Sequence, residues 1–248
     1  MIYLLAVVGA FLAGCINTLA GNGSAITLYL LMDVLGLPGN LANATNRVGI
    51  FAQGVAGTTA FHRAGKLEIK GNELLLTTVT IGALGGLYLA SVLSNEGFRS
   101  VFRYLLLVMF VIILSRPKRW LIAFGEQLDL PPYISIPLYL GLGFYAGFIS
   151  MGMGVLFLAI TVLLARYDLL TANVLKTIMV TILATVSLIW FAYLGWIDWK
   201  IGGLMAIGQA SGGYLTAHYA SRIDRANELA YYVLVVVVSI ALARLWLF

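Results

Sequence analysis

Apolar runs long enough to cross a bilayer recur from one end of the chain to the other, and nothing else in the sequence constrains the fold as much. Segments near residues 41–63, 71–93, 98–114, 171–194, 201–220 and 228–247 approach or exceed the roughly 20 apolar residues that a spanning helix needs. Hydrophobic residues make up 61% of the chain and charged residues 10%, against about 45–50% and about 25% in soluble domains. A soluble fold is excluded. The expected class is all-α and polytopic, in contact with lipid along its whole length.

The few charges carry topology. Lys and Arg number 15 against 10 Asp and Glu, for a net charge of +5, and the basic residues gather in short loops between apolar segments rather than in a patch suited to nucleic acid. A single cysteine excludes an intrachain disulfide, and no Cys/His cluster has metal-ligand spacing, so no metal or cofactor is expected. Leu12-Ala13-Gly14-Cys15 resembles a lipoprotein cleavage box. Met1 to Gly14 has no basic residue, however, so Met1 to Ala20 reads as a retained membrane segment.

Two regions are interrupted. Residues 2–20 and 24–35 flank Gly21-Asn22-Gly23, and residues 134–150 and 155–165 flank Met151-Gly152-Met153-Gly154. The second piece of each pair holds about 12 residues, or about 18 Å of helix, less than the hydrocarbon thickness. These pieces read as Gly-broken or re-entrant helices, with helix starts at Ser24 and near Val155.

The interruptions belong to an internal repeat. Ala42-Asn43-Ala44-Thr45-Asn46-Arg47 lies over Ala172-Asn173-Val174-Leu175-Lys176-Thr177 at an offset of 130 residues, and the same offset places Gly65 to Lys70 over Gly195 to Lys200. The chain divides into residues 1–114, a polar linker at 115–132, and residues 133–248, together one transport domain. If the loop holding Arg63, Lys66 and Lys70 is cytoplasmic, then Arg116, Lys118, Arg119, Arg166, Arg222 and Arg225 also fall inside. Each half then crosses an odd number of times, whether three or five, so the halves are expected to be inverted. Inverted repeats with broken helices characterise secondary transporters with a midplane site.

Arg47 and Lys176 are the two charges that cannot be placed near a segment end, and they occupy adjacent repeat positions. A cation at such depth costs about 2.5–3.5 kcal/mol on insertion scales, which makes it a functional candidate. Snorkelling to the nearer surface is the alternative, but two repeat-related cations without an acidic partner in the spans point to a bound anion. The glycine breaks agree, since free N–H groups and partial positive charge at a helix start favour anions; glycines also serve close helix packing, the role expected of Gly86. The candidate substrate-binding residues are Asn22, Gly23, Ser24, Asn46, Arg47, Gln53, Gly152, Met153, Gly154, Asn173 and Lys176. Asn17, Asn43, Thr177 and Gln209 add neutral donors at membrane depth. His62 reads as a loop residue, His218 is left undecided, Cys15 reads as a buried small hydrophobe, and Trp196 and Trp199 read as an interfacial belt.

The glycine break followed by Gly36-Leu37-Pro38, Ala44-Thr45-Asn46-Arg47-Val48 and Phe61-His62-Arg63-Ala64-Gly65 resembles the first half of the TauE/SafE sulfite exporter family. Ala172 to Lys176 and Gly195 to Trp199 resemble its second half, so the likeness covers nearly the whole chain. Asn22 and Met153 interrupt the longer glycine runs usual in that family. The resemblance implies movement of sulfite or an organosulfonate such as sulfoacetate across the bacterial inner membrane. The leading expectation is therefore a non-enzymatic secondary transporter of a small sulfur-containing anion working by alternating access. An anion channel of the same architecture is the alternative, and an intramembrane hydrolase built on Ser24 and His218 is a remote one. A small anion and the lipid bilayer are the expected partners, without nucleic acid; a homodimer, the direction of transport and any coupling ion are left open.

Overall fold

The computed structural model describes residues 2–65, 67, 70–114, 128 and 130–219, together with 232, 235, 236, 238–240, 242 and 243. Among the described residues every regular element is helical. The order is α1 (Ile2–Ala20), α2 (Gly23–Tyr29) continued by a π-helical turn at Leu30–Val34, α3 (Gly39–Arg63), α4 (Glu73–Val92) and α5 (Asn95–Leu114), then α6 (Pro132–Phe148), α7 (Met153–Leu158) continued by a π-helical turn at Ala159–Leu164, α8 (Leu169–Tyr193) and α9 (Trp199–Tyr219). The described residues from 232 to 243 are helical as well. Glu73–Val92 and Thr171–Tyr193 are long and apolar enough to cross a membrane.

Several helices start earlier than their apolar runs. α3 opens at Gly39 behind Pro38, α5 at Asn95, and α6 at Pro132 behind Pro131. A helix keeps its unpaired first-turn N–H groups in a polar setting, so its first residues lie outside the apolar stretch. Proline suits the start of α6 because its ring fixes a helical φ and its missing N–H would have no partner there. α2 and α7 start at Gly23 and Met153, slightly before the expected Ser24 and Val155. Most of the linker lies outside the described residues, as do Lys66, Arg116, Lys118, Arg119, Arg222 and Arg225.

The two halves repeat the same backbone features in the same order. Gly21, Gly36 and Gly65 have φ of 72°, 70° and 66°, and Gly152, Arg166 and Gly195 have φ of 70°, 57° and 68°. The π turns close alike: Leu35 N–H donates to the Leu30 carbonyl at 2.9 Å, and Ala165 N–H to the Ile160 carbonyl at 3.1 Å. The next bonds also match, from Leu37 to the Leu31 carbonyl and from Tyr167 to the Thr161 carbonyl, both at 2.9 Å.

The halves hold together by exchange. α4 lies along α6, and α1 lies along α9. A methyl group at Gly82 or Gly86 would strike the Leu140 or Phe144 carbonyl of α6, and one at Gly143 or Gly147 would strike the Val79 or Ala83 carbonyl of α4. Gly14 against Gln209, and Gly208 and Gly212 against Val7 and Phe11, form the matching contact of α1 with α9. Small residues let helix backbones meet where lipid supplies no hydrophobic drive. The correspondence is not complete, for α3 packs closely along α9 whereas its counterpart α8 touches α4 only sparsely. Outward faces are apolar: Ile81, Tyr88, Ile189 and Ile207 are each more than 60% exposed in mid-helix, a surface suited to lipid and unlike that of a water-soluble domain.

Candidate functional site

α3 and α8 cross the centre of the molecule, and the two interrupted helices meet beside them. The breaks touch through their backbones, with Gly21 against Gly154 and Val155. Next to this contact lies a cavity of about 30 Å³ lined by Asn17, Ser24, Arg47, Ile50, Ser150, Met153, Gly154, Lys176, Val180, Leu183 and Ala184. Both cations reach it and no carboxylate lines it. Arg47 is 2% exposed and Lys176 7%.

The cations are held differently. Arg47 Nη1 and Nη2 donate to the carbonyls of Ala146 and Gly147, both at 2.9 Å, at the carboxyl end of α6. Arg47 Nε is buried without a partner. Lys176 Nζ donates to Asn173 Oδ1, one turn earlier on α8, at 2.8 Å.

Of the residues expected at the site, Ser24, Arg47, Met153, Gly154 and Lys176 line the cavity. Asn173 and Asn46 stand one step behind it, Asn173 on Lys176 and Asn46 through a 3.3 Å bond from its Nδ2 to Ser150 Oγ. Gln53 is also one step removed: its Oε1 accepts from Asn17 Nδ2 at 3.1 Å, and its Nε2 donates to the Gly14 carbonyl and Thr18 Oγ1. Asn22, Gly23 and Gly152 do not line the cavity. Asn22 is fully buried with neither amide atom bonded, Gly23 packs against the Ala13 carbonyl of α1, and Gly152 supplies the left-handed turn before α7.

Ser150 and the apolar wall of Ile50, Val180, Leu183 and Ala184 were not singled out by the sequence. The signal for Ser150 is its place just before the second break. At that break Leu156 N–H bonds to the Gly152 carbonyl at 3.1 Å, while the N–H groups of Gly154 and Val155 take no acceptor among the described residues. Those of Gly23 and Ser24 are likewise unpaired, and Ala25 N–H reaches the Asn22 carbonyl at 3.3 Å. His62 is exposed at the end of α3. His218 is exposed on α9, stacked on Tyr214 and away from the cavity that holds Ser24. Cys15 is half-buried, with Sγ 3.5 Å from the Gly212 carbonyl oxygen.

Comparison with known proteins identifies the family of the chain. The family model described as sulfite exporter TauE/SafE matches residues 6–244. The chain is 28% identical to the probable membrane transporter protein ORF9 of Sinorhizobium sp. over 95% of its own length and 88% of the relative's. It is 25% identical to the probable membrane transporter protein YfcA of Escherichia coli K12, covering 95% and 86% of the two chains. A probable membrane transporter protein of Haemophilus influenzae is 26% identical over 84% of this chain and 80% of its own. No solved structure matches the chain. The match across nearly all of its length places the chain in the TauE/SafE sulfite exporter family, as a membrane transporter of that type.

Proposed function

We propose that the protein is a secondary transporter that moves a small sulfur-containing oxyanion across the bacterial inner membrane by alternating access between two inverted repeats. The single observation that carries this reading is the meeting of the two breaks at Gly21 and Gly154 beside a cavity that holds Arg47 and Lys176 and no carboxylate. N–H groups at the starts of α2 and α7 that take no acceptor among the described residues add directional donors and partial positive charge. The repeated left-handed turns and π turns support the reading of two equivalent halves. With an odd number of crossings in each half, Arg47 and Lys176 would reach the cavity from opposite membrane sides.

Cavity size bears on the substrate. A volume of about 30 Å³ holds about two waters. A sulfite-sized oxyanion needs less widening of that space than a sulfonate with a carbon tail, so we place sulfite first among the candidate cargoes.

The test is binding and flux with the purified full-length protein in liposomes, over sulfite, thiosulfate, sulfoacetate, isethionate, sulfate and acetate. The expected result is saturable uptake with countertransport, strongest for sulfite or thiosulfate. Flux that rises linearly with concentration would indicate a channel. Absence of oxyanion binding would overturn the anion reading itself.

A further inference from the structure

Repeat-related residues on α3 and α8 perform different work. On α3, Asn43, Asn46 and Arg47 reach out of their own half and grip the break of the other. Arg47 takes the carbonyls of Ala146 and Gly147, Asn43 Nδ2 donates to the Phe148 carbonyl at 3.0 Å, and Asn46 Nδ2 donates to Ser150 Oγ at 3.3 Å. From within α6, the Tyr145 hydroxyl closes the segment by donating to the Met151 carbonyl at 2.6 Å. The chain from Ala146 to Met151 is thereby bonded at five of its six residues.

On α8 the matching residues are Asn173, Lys176 and Thr177, and the cation does not grip the opposite break. Lys176 bonds to Asn173 Oδ1, and Thr177 Oγ1 to the Asn173 carbonyl at 2.8 Å, both within the helix. The first break is secured by other means, through Gln53 on Asn17, Thr18 and the Gly14 carbonyl.

Chemistry separates the two cations further. The planar Arg47 fork faces the carbonyl end of α6, where partial negative charge accumulates, so two of its five donors, one on each terminal nitrogen, and much of its field are engaged inside the protein. An ammonium has three donors, and Lys176 gives one to Asn173. Two remain for anion oxygens, on a flexible stem that can follow a moving ligand.

On the proposed anion-transport reading, we infer that Lys176 is the cation that hydrogen-bonds the transported oxyanion, and that Arg47 is a positioning residue that fixes the α6–α7 break beside it. Two fully engaged cations would hold a small oxyanion too tightly for release. Lending one of them to a helix end leaves a site with a single mobile charge.

The experiment measures sulfite affinity by calorimetry, thermal stability, and backbone amide exchange in the purified full-length protein and its Lys176→Gln, Arg47→Gln and Arg47→Lys variants. Lys176→Gln is expected to weaken sulfite binding about tenfold or more, the cost of removing a charged partner, with amide exchange across residues 148–156 unchanged. Arg47→Lys keeps the charge and loses the fork. It is expected to behave like Arg47→Gln, with faster exchange across residues 148–156 and a lower melting temperature. If Arg47→Lys restores both affinity and protection while Lys176→Gln binds sulfite normally, the assignment is wrong. Should Arg47→Gln fail to fold, Arg47→Lys and Lys176→Gln still decide it. Wild-type protein that binds none of the oxyanions would instead defeat the transport reading on which the assignment rests.

Discussion

Gly21 and Gly154 meet with no side chain between them: a methyl group on Gly154 would stand 2.8 Å from the Gly21 carbonyl oxygen and 3.0 Å from its Cα. Gly21 also holds a φ of 72°, which other residues adopt at a cost. The contact joins the two halves where their interrupted helices begin, and Gly154 lines the cavity as well. Gly154→Ala is therefore expected to cut transport about tenfold or more while costing about 1–3 kcal/mol of stability, as overpacking does, and Gly154→Val to do so more severely. Liposome flux beside thermal unfolding measures both. Wild-type flux in Gly154→Ala would mean that the contact takes no part in transport.

Gly86 supplies the contrast. A methyl group there would run into the Phe144 carbonyl and lie 2.6 Å from the Phe148 nitrogen, so α4 and α6 would have to separate. Gly86→Ala is expected to lower the melting temperature by several degrees with sulfite affinity per folded molecule within about threefold of wild type. Gly23 belongs with Gly86 on this account, because a methyl group there would strike the Ala13 carbonyl of α1. An affinity loss at Gly86 larger than that at Gly154 would reverse the assignment.

The all-helical class was legible because apolar length is written directly in the sequence, and glycine placement marked where α1 gives way to α2 and α6 to α7. Arg47 and Lys176 were legible for the same reason, since a charge inside an apolar run is conspicuous. Their division of labour was not. Arg47 bonds to the carbonyls of Ala146 and Gly147, about 100 positions away, and every residue carries such a carbonyl, so no sequence signal marks these two. The π turns at Leu30–Val34 and Ala159–Leu164 were equally hidden, because they differ from α-helix only in which carbonyl each N–H chooses. Asn22 stood out as a donor beside the break, and the structure buries it there with neither amide atom bonded and outside the cavity lining.

Arg166 is the non-glycine residue with positive φ among those described, at 57°, and its repeat counterpart Gly36 sits at 70°. The turn that ends each π segment demands this conformation, and the second half meets the demand with a side chain that pays about 1–2 kcal/mol for it. Glycine relieves the strain but loses about 0.5–1 kcal/mol through the freedom of the unfolded chain. Arg166→Gly should therefore be neutral to about 1 kcal/mol stabilising. Gly36→Ala, where the added methyl meets nothing within 4 Å, should destabilise by about 1 kcal/mol from backbone strain alone. Melting temperatures of the two variants check the pair, and a large loss of stability in Arg166→Gly would show that its side chain holds the turn.

The proposed inversion of the halves makes its own demand on topology. Ala64 and Leu194 are both exposed and follow the ends of α3 and α8 at equivalent repeat positions. Their N–H groups close the same turn, to the Ala60 carbonyl at 3.1 Å and the Trp190 carbonyl at 3.2 Å. Parallel halves would place the two residues on one side of the membrane, and inverted halves on opposite sides. The proposed topology takes that end, with the basic residues Arg63 and Lys70 near Ala64, as cytoplasmic. Cys15 is the only cysteine, so a Cys15→Ser background leaves a single engineered thiol to report. In intact cells whose outer membrane admits the reagent, a maleimide that cannot cross the inner membrane is expected to label Leu194→Cys at once, and Ala64→Cys only after the inner membrane is opened. Labelling of both from the same side would remove the basis for alternating access between inverted repeats, whatever anion the cavity binds.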